Sequence, residues 1–267
     1  MERFEFGKNW RSFLKHLDDR RITEAQKSLQ TMLDCNDLQG KTFLDAGCGS
    51  GLFSLSARML GASVRSFDYD SDSVECTRLL KQRYFPDDDK WEVTEGDLLD
   101  IKFVSELGKY DIVYCWGVVH HTGQMWKAMD NLSLAVKDGG RLFISVYNRR
   151  GTIRTALTTW RKREYSRSTI LGKTVILTSY AIYFLLKKFI VDVLRFNNPL
   201  KSYLRIGPRG MSMWHDIVDW VGGYPFETAR PEEVFDFYRK RGFILEHLKT
   251  CGGGLGCNEF VFQKPSS

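Results

Sequence analysis

"LDAGCGSG", Leu44 to Gly51, is the stretch whose reading decides the fold. It closes "KTFLDAG" (Lys41 to Gly47), an apolar run that reads as a short buried strand ending in a turn. "SLSARMLG" follows as a helix closed by Gly61. Strand, glycines and helix in that order set backbone N–H groups and a positive helix end at the strand's C-terminal edge, where a ligand can sit. The spacing Gly47-x-Gly49-x-Gly51 is tighter than the G-x-G-x-x-G of dinucleotide enzymes, and no Lys-Ser/Thr follows as a phosphate-cradling loop requires. Asp45 stands just before the glycines. Its charge repels a pyrophosphate and suits a cation or a ligand amine.

Outward from this loop the same alternation repeats. "SVRSFD" (Ser63 to Asp68) reads as a second strand, "SDSVECTRLLKQRYF" as a helix N-capped at Ser71, "KWEVTEGD" as a third strand and "YDIVYCWGVV" as a fourth. "MWKAMDNLSLAVKDGG" is expected to be a helix ended by Gly139 and Gly140, and "GRLFISVYN" a fifth strand. Two helices open the chain, Trp10 to Asp18 and Thr23 to Leu33, the latter N-capped at Thr23. Strands alternating with helices predict a parallel sheet wound on both faces. Near the end, "RPEEVFDFYRKRGF" has Pro231 at N1, acids in its first turn and a stop at Gly242. The last two strands, "FILEHLKT" and "NEFVFQK", are joined by "CGGGLGC", too short for a crossover helix, so they run antiparallel.

Asp68 ends the second strand, where an acid can accept both hydroxyls of a ribose. Asp97 ends the third in "EGDLL" and can accept from an exocyclic adenine amine. One such acid alone is most simply a turn or a helix cap. Three acids ending three successive strands fit an adenosyl ligand better.

"LDAGCGSG", "FDYDSDSV", "EGDLLD", "DIVYCWGVVHHT" and the terminal "GF…NEFVF" together resemble class I S-adenosylmethionine-dependent methyltransferases, and most of all the ubiquinone-biosynthesis O-methyltransferase group. The resemblance covers about Lys41 to Tyr147 and Arg230 to Lys264. It implies an α/β, Rossmann-like, doubly wound seven-stranded sheet with an antiparallel last strand, and S-adenosylmethionine as cofactor. It further implies Asp45, Gly47, Cys48, Gly49 and Gly51 near the methionine moiety, Asp68 with Tyr69 at the ribose, Asp97 and Leu98 at the adenine, and Cys115 at the methionine end. The organisation expected is an N-terminal helical cap (1–40), a cofactor-binding core (41–150 and 230–267) and a helical, basic insertion after the fifth strand (151–229).

Methyl transfer from a sulfonium is an in-line displacement that needs an aligned nucleophile and no water. Oxygen nucleophiles usually need a base, and "VVHHT" puts His120 and His121 at the C-terminal edge of the fourth strand. His121 is the leading candidate, His120 the next, and His215 in "MSMWHDIVDW" a third; the plainer readings are that the His120–His121 position only shapes the pocket and that His215 is a packed helix histidine. Trp10, Tyr147, Asn148, Arg209 and Trp214 are the candidate substrate contacts. The Asn/Asp-Pro-Pro-Tyr/Phe motif of base-amine methyltransferases is replaced by "CWGV", Thr250–Cys251 sits at the wrong strand for a cytosine-C5 enzyme, and no metal set is evident.

Charge divides the chain. From Arg149 to Gly210 there are 14 lysines and arginines against Glu164 and Asp192, a net of +12 within a total of +6. An acidic body therefore carries a basic segment. Inside it, Thr174 to Leu186 is a run of 13 uncharged residues, short of the ~20 that span a bilayer. Apolar nearly all round, it is expected to be buried in a substrate-domain core or an oligomer interface, or to lie at a membrane through 170–196. The basic charge suits an acidic acceptor such as a phosphorylated or lipid-linked glycan; RNA is the alternative, and a non-catalytic cofactor-binding scaffold is another. Six cysteines without a C-x-x-C pair predict reduced thiols, and the N-terminus has no apolar signal segment, so a cytoplasmic protein is expected, with peripheral contact to the inner membrane face as an option.

Overall fold

The computed structural model describes residues 4, 6–198, 213–254 and 256–266, with 213–216 by backbone alone. Seven strands make one sheet: β1 (Thr42–Ala46), β2 (Ser63–Asp68), β3 (Trp91–Glu95), β4 (Tyr110–Cys115), β5 (Val136–Tyr147), β6 (Ile244–Lys249) and β7 (Cys257–Gln263). Their order is β3-β2-β1-β4-β5-β7-β6, and β7 alone runs antiparallel to both its neighbours. The registers Asp45↔Ser66 and Asp68↔Glu95 bring the acidic strand ends to one edge. Strand order reverses between β1 and β4, and an open α/β sheet parts its loops to admit a ligand at such a switch point.

The pleat divides the core in two. On β4, Val113 and Cys115 face one layer with Leu132, Ile144 and Phe262, while Ile112 and Tyr114 face the other with Phe43, Leu55 and Trp91. The central strands β1, β4 and β7 are largely buried on both sides, as a sheet covered by helices on both faces requires, while the edge strands β3 and β6 are mostly open.

The helices are α1 (Phe6–Leu14), α2 (Asp19–Leu33), α3 (Leu52–Met59), α4 (Ser71–Tyr84), α5 (Ile101–Glu106), α6 (Met125–Leu134), α7 (Thr152–Arg167), α8 (Ile170–Leu194), α9 (Met213–Gly222) and α10 (Pro231–Arg239). Several ends differ from expectation. The N-cap of α2 is Asp18, whose carboxylate accepts from the Arg21 N–H at 2.9 Å; Thr23 lies inside the helix and donates its hydroxyl to the Asp19 carbonyl. Asp70, not Ser71, caps α4 by accepting from the Asp72 N–H. In both cases a carboxylate stands nearer the helix start and satisfies the free N–H more strongly than a hydroxyl does. α6 stops at Leu134, and Gly139 and Gly140 belong to the irregular start of β5, where a Cβ on Gly140 would stand 2.9 Å from the Lys137 carbonyl oxygen. α5, unread in the sequence, is capped by Asp100.

The insertion differs most. The 13-residue apolar run is the centre of α8, 25 residues long, and by length and composition α8 could cross a membrane. Only Ala181 and Asp192 of α8 are buried, so a protein core for the whole helix, one of the expectations, is not what this chain provides.

Candidate functional site

The glycine loop is shaped by backbone. Gly47, Gly49 and Gly51 all have positive φ, at 83°, 53° and 78°. The Gly47 and Cys48 N–H groups donate to the Phe67 carbonyl at 2.8 and 3.0 Å, tying the end of β1 to the end of β2. A Cβ on Gly47 would meet Val118 at 2.4 Å, and one on Gly49 would meet the Trp10 indole nitrogen at 2.9 Å, so side chains there are excluded sterically as well as conformationally.

These residues wall a cavity of about 650 Å³. Asp45, Gly47, Cys48, Gly49, Asp68, Tyr69, Asp97 and Leu98 lie on it, as do His120, His121, Tyr147 and Trp10. Three sequence candidates do not. Cys115 points into the opposite core layer, because alternation on β4 puts Tyr114 and Trp116 on the cavity side instead. Gly51 is the N-cap of α3 and is pressed against Thr77 of α4, where a Cβ would stand 2.8 Å from the backbone. Asn148 turns away to accept from the Asn258 amide at 3.3 Å and donate toward the Gly254 carbonyl. Arg209 lies outside the described residues; so do the side chains of Trp214 and His215, whose backbone begins α9. Phe6, Trp116, Asp219 and Trp220 also line the cavity, and no spacing in the sequence announced Trp116 or Asp219.

Asp45 ends a buried relay. The Trp91 indole N–H donates to Ser66 Oγ at 3.0 Å, Ser66 to Ser54 Oγ at 2.7 Å, and Ser54 to Asp45 Oδ2 at 2.5 Å. The first and last directions are forced, by an indole that only donates and a carboxylate that only accepts, and together they order the middle one. Burial pushes the Asp45 carboxyl up to about 7, with Asp68 adding repulsion. Asp68 is pushed up to about 6, also by burial, against the backbone N–H groups of Asp70 and Gly49 that favour its charge. Asp97 accepts from the Leu99 N–H at 2.9 Å, which fixes its rotamer.

The histidines divide the labour. The Tyr147 N–H donates to His120 Nδ1 at 3.4 Å, the ring hydrogen-bonds the Ser145 backbone, and burial holds it well below the usual imidazole range. His121 donates Nδ1–H to the Pro225 carbonyl at 2.7 Å, which leaves Nε2 with a lone pair. Burial, with the nearby Lys162 ammonium, pushes its pKa down to about 3, so it is neutral across the physiological range.

Lys162, in α7, is fully buried behind this wall, donating to the Asp219 carbonyl at 3.2 Å with its amine 4.8 Å from the Phe226 ring centroid. Burial drops it to about 7. In the run "RKRE" it is indistinguishable from the charged residues on either side.

The front of the cavity is closed by α1. The Gly7 N–H donates to Asp70 Oδ2 at 2.8 Å, Arg11 pairs with Asp72, and Phe4, Phe6 and Trp10 join the wall. Among the described residues, six aspartates and no lysine or arginine line the cavity. The basic residues of α7 and α8 lie off it.

A family model described as a methyltransferase domain matches residues 16–171, more than half of the sequence. The chain belongs to the methyltransferase-domain family. Among named relatives, the ubiquinone biosynthesis O-methyltransferase of Glaesserella parasuis serovar 5 (strain SH0165) is 32% identical over 114 residues, 43% of this chain and 48% of that protein. Its counterpart in Paraburkholderia xenovorans (strain LB400) is 33% identical over 112 residues, covering 42% and 47%. The match spans about half the length of these relatives. Among solved structures, magnesium protoporphyrin IX methyltransferase from Synechocystis PCC 6803 with bound SAH superposes with a TM-score of 0.54 at 16% identity, covering 96% of this chain and 93% of that one. An O-methyltransferase family protein from Burkholderia thailandensis gives 0.56 at 12% identity, covering 93% and 58%. The methyltransferase domain thus shares the fold of these proteins, and the apolar helix α8 lies almost wholly beyond the matched residues.

Proposed function

We propose that the protein is an S-adenosylmethionine-dependent methyltransferase that acts on an oxygen of a small-molecule acceptor, free or carried on a lipid or glycan. One observation carries the cofactor choice: a cavity walled by six aspartates and no lysine or arginine among the described residues. Such a wall repels the paired phosphates of a dinucleotide and favours a ligand bearing an ammonium and a sulfonium. The residues fit the group. The Asp68 carboxylate is held by the backbone N–H groups of Gly49, Asp70 and Tyr69 and keeps acceptor capacity for a vicinal diol. Asp97 and Leu98 would hold the adenine, and Asp45 with Gly47, Cys48 and Gly49 the amino-acid end, beneath Trp10.

When bound, the cofactor supplies an electrophilic methyl group on a sulfonium. The chain's own part is to bind, align and exclude water. Phe6 and Trp10 of the N-terminal segment cover the cavity, and Tyr147, Trp220 and Tyr224 furnish aromatic surface for an acceptor. His121 accepts at Nε2 from the acceptor hydroxyl. An imidazole pushed down to about 3 is a weak proton acceptor, so His121 orients the hydroxyl more than it removes the proton.

Calorimetric titration with S-adenosylmethionine and, separately, NAD tests the cofactor assignment. Binding of the former alone is expected; binding of NAD alone would falsify it. Incubating cell extract with methyl-labelled cofactor, then identifying the labelled molecule, tests the acceptor class. Label recovered only in RNA would replace the small-molecule reading.

A further inference from the structure

α8 has two unlike faces. Ile176, Leu177, Tyr180, Ala181 and Phe184 turn inward and pack with Tyr165, Ile217, Val221 and Phe4. The outward residues are apolar and exposed: Leu171 75%, Val175 60%, Ile182 53%, Leu186 59%, Ile190 56% and Leu194 73%. Lys187 is the one exposed charge in the helix; Lys188 folds back onto buried Asp192 at 3.1 Å. The exposed hydroxyls Thr174 and Ser179 donate to the Ile170 and Val175 carbonyls within the helix, so they need no water.

Charge decides what covers this face. Residues 149–198 carry eleven lysines and arginines against Glu164 and Asp192. A second copy docked face to face about a two-fold axis would set this basic unit against itself. An anionic lipid surface is complementary to it, each exposed Lys or Arg close to the headgroups adding to the attraction. The inward stripe and the buried Asp192 keep the helix against the protein body, so it lies in the surface instead of crossing it.

We propose that α8 lies in the surface of an anionic bilayer, its outward face among the acyl chains and the exposed basic residues of 149–198, such as Arg154, Lys187 and Arg195, against the headgroups. Phe184 of α8 packs edge-on to Trp220 at 5.4 Å, and Trp220 and Phe4 wall the cavity. If the methyltransferase reading holds, on which this consequence rests, a lipid-borne acceptor reaches the cavity from the side of α8 without crossing water.

Flotation of the full chain tests the docking, because it needs neither cofactor nor turnover. With vesicles of equal parts phosphatidylcholine and phosphatidylglycerol the protein should float, and alkaline carbonate should release it; phosphatidylcholine alone should retain little. The triple variant Ile182→Gln, Leu186→Gln, Ile190→Gln should bind the mixed vesicles at least about tenfold more weakly, with an unchanged melting curve. The variant Arg154→Gln, Lys187→Gln, Arg195→Gln should lose about tenfold or more and become less sensitive to salt than the wild type. No flotation, flotation equal in wild type and the apolar triple variant, or resistance to carbonate would each overturn the proposal. So would a wild-type dimer in light scattering that the apolar variant converts to monomer without any vesicle binding. Failure of S-adenosylmethionine to bind in a separate titration would strike the functional reading and leave the docking result standing.

Discussion

Asp45 shows how a single side chain sets function against stability. Burial raises its carboxyl to about 7, while the unfolded chain keeps it near 3.8. The folded state therefore holds the proton more tightly, and stability falls as pH rises from about 4 to about 7, the loss being complete above that. Asp45→Asn keeps an oxygen to accept from Ser54 and removes the charge. It should stabilise the protein at pH 8 by roughly 2–4 kcal/mol and little at pH 4, read by thermal melts. The same variant should bind S-adenosylmethionine more weakly, so a gain in melting temperature and a loss of affinity appear together. At Asp68, replacement by Ala should weaken the cofactor by about tenfold or more in calorimetry, since it removes charge-assisted hydrogen bonds. His121→Ala should lower kcat by about ten- to a hundredfold, with His121→Gln recovering part of it through its amide oxygen. The kcat profile should lack an inflection near the usual histidine pKa. A loss of a thousandfold or more with such an inflection would show His121 to be the base.

At the scale of elements, two junctions stand out. α1 reaches the glycine loop through Trp10, and it reaches α4 through Gly7 and Arg11. Gly49→Ala places a Cβ at φ +53° and 2.9 Å from the Trp10 ring. It should cost about 1–2 kcal/mol and loosen α1, seen as faster trypsin cleavage after Lys8 or Arg11. The other junction is α7 against α9, closed by Lys162 on the Asp219 carbonyl. Its amine falls to about 7 in the fold from the 10.5 of a free lysine, so the unfolded chain binds the proton more tightly and the penalty is complete below about 7. Lys162→Met should stabilise the protein more at pH 6 than at pH 10, by roughly 2–4 kcal/mol, in paired denaturant titrations. The Asp219 carbonyl would still accept from the Gly223 N–H at 2.8 Å, so no buried group is orphaned. Equal effects at both pH values would mean the amine is charged in place.

Across the whole molecule, order is unequal. β1, β4 and β5 sit in the middle of the sheet between two apolar layers, whereas α7 and α8 expose most of their surface. Hydrogen exchange should therefore show the central strands exchanging slowest and α7–α8 fastest in the absence of lipid. Mixed vesicles should slow α8 selectively. The alternation of strands and helices was readable because its period and its glycine and proline stops are local. The cavity's rear wall was not: Asp219 and Lys162 come to the side of His121 only after about forty to a hundred residues of intervening chain have folded back.

By itself, the sequence of this protein determined the sheet, the loop with positive φ and the three acids at strand ends, because glycine conformation and strand alternation act over a few residues. Tertiary structure decided which of those residues face the cavity. It turned Cys115 to the opposite layer, drew Gly51 into the α3–α4 contact, tied His120 to the backbone and left His121 with a lone pair. It also decided that six aspartates share one wall without a lysine or arginine among the described residues, and that α8 keeps its apolar face outward. Those outcomes depend on which surfaces pack together, and packing joins residues that no local pattern relates.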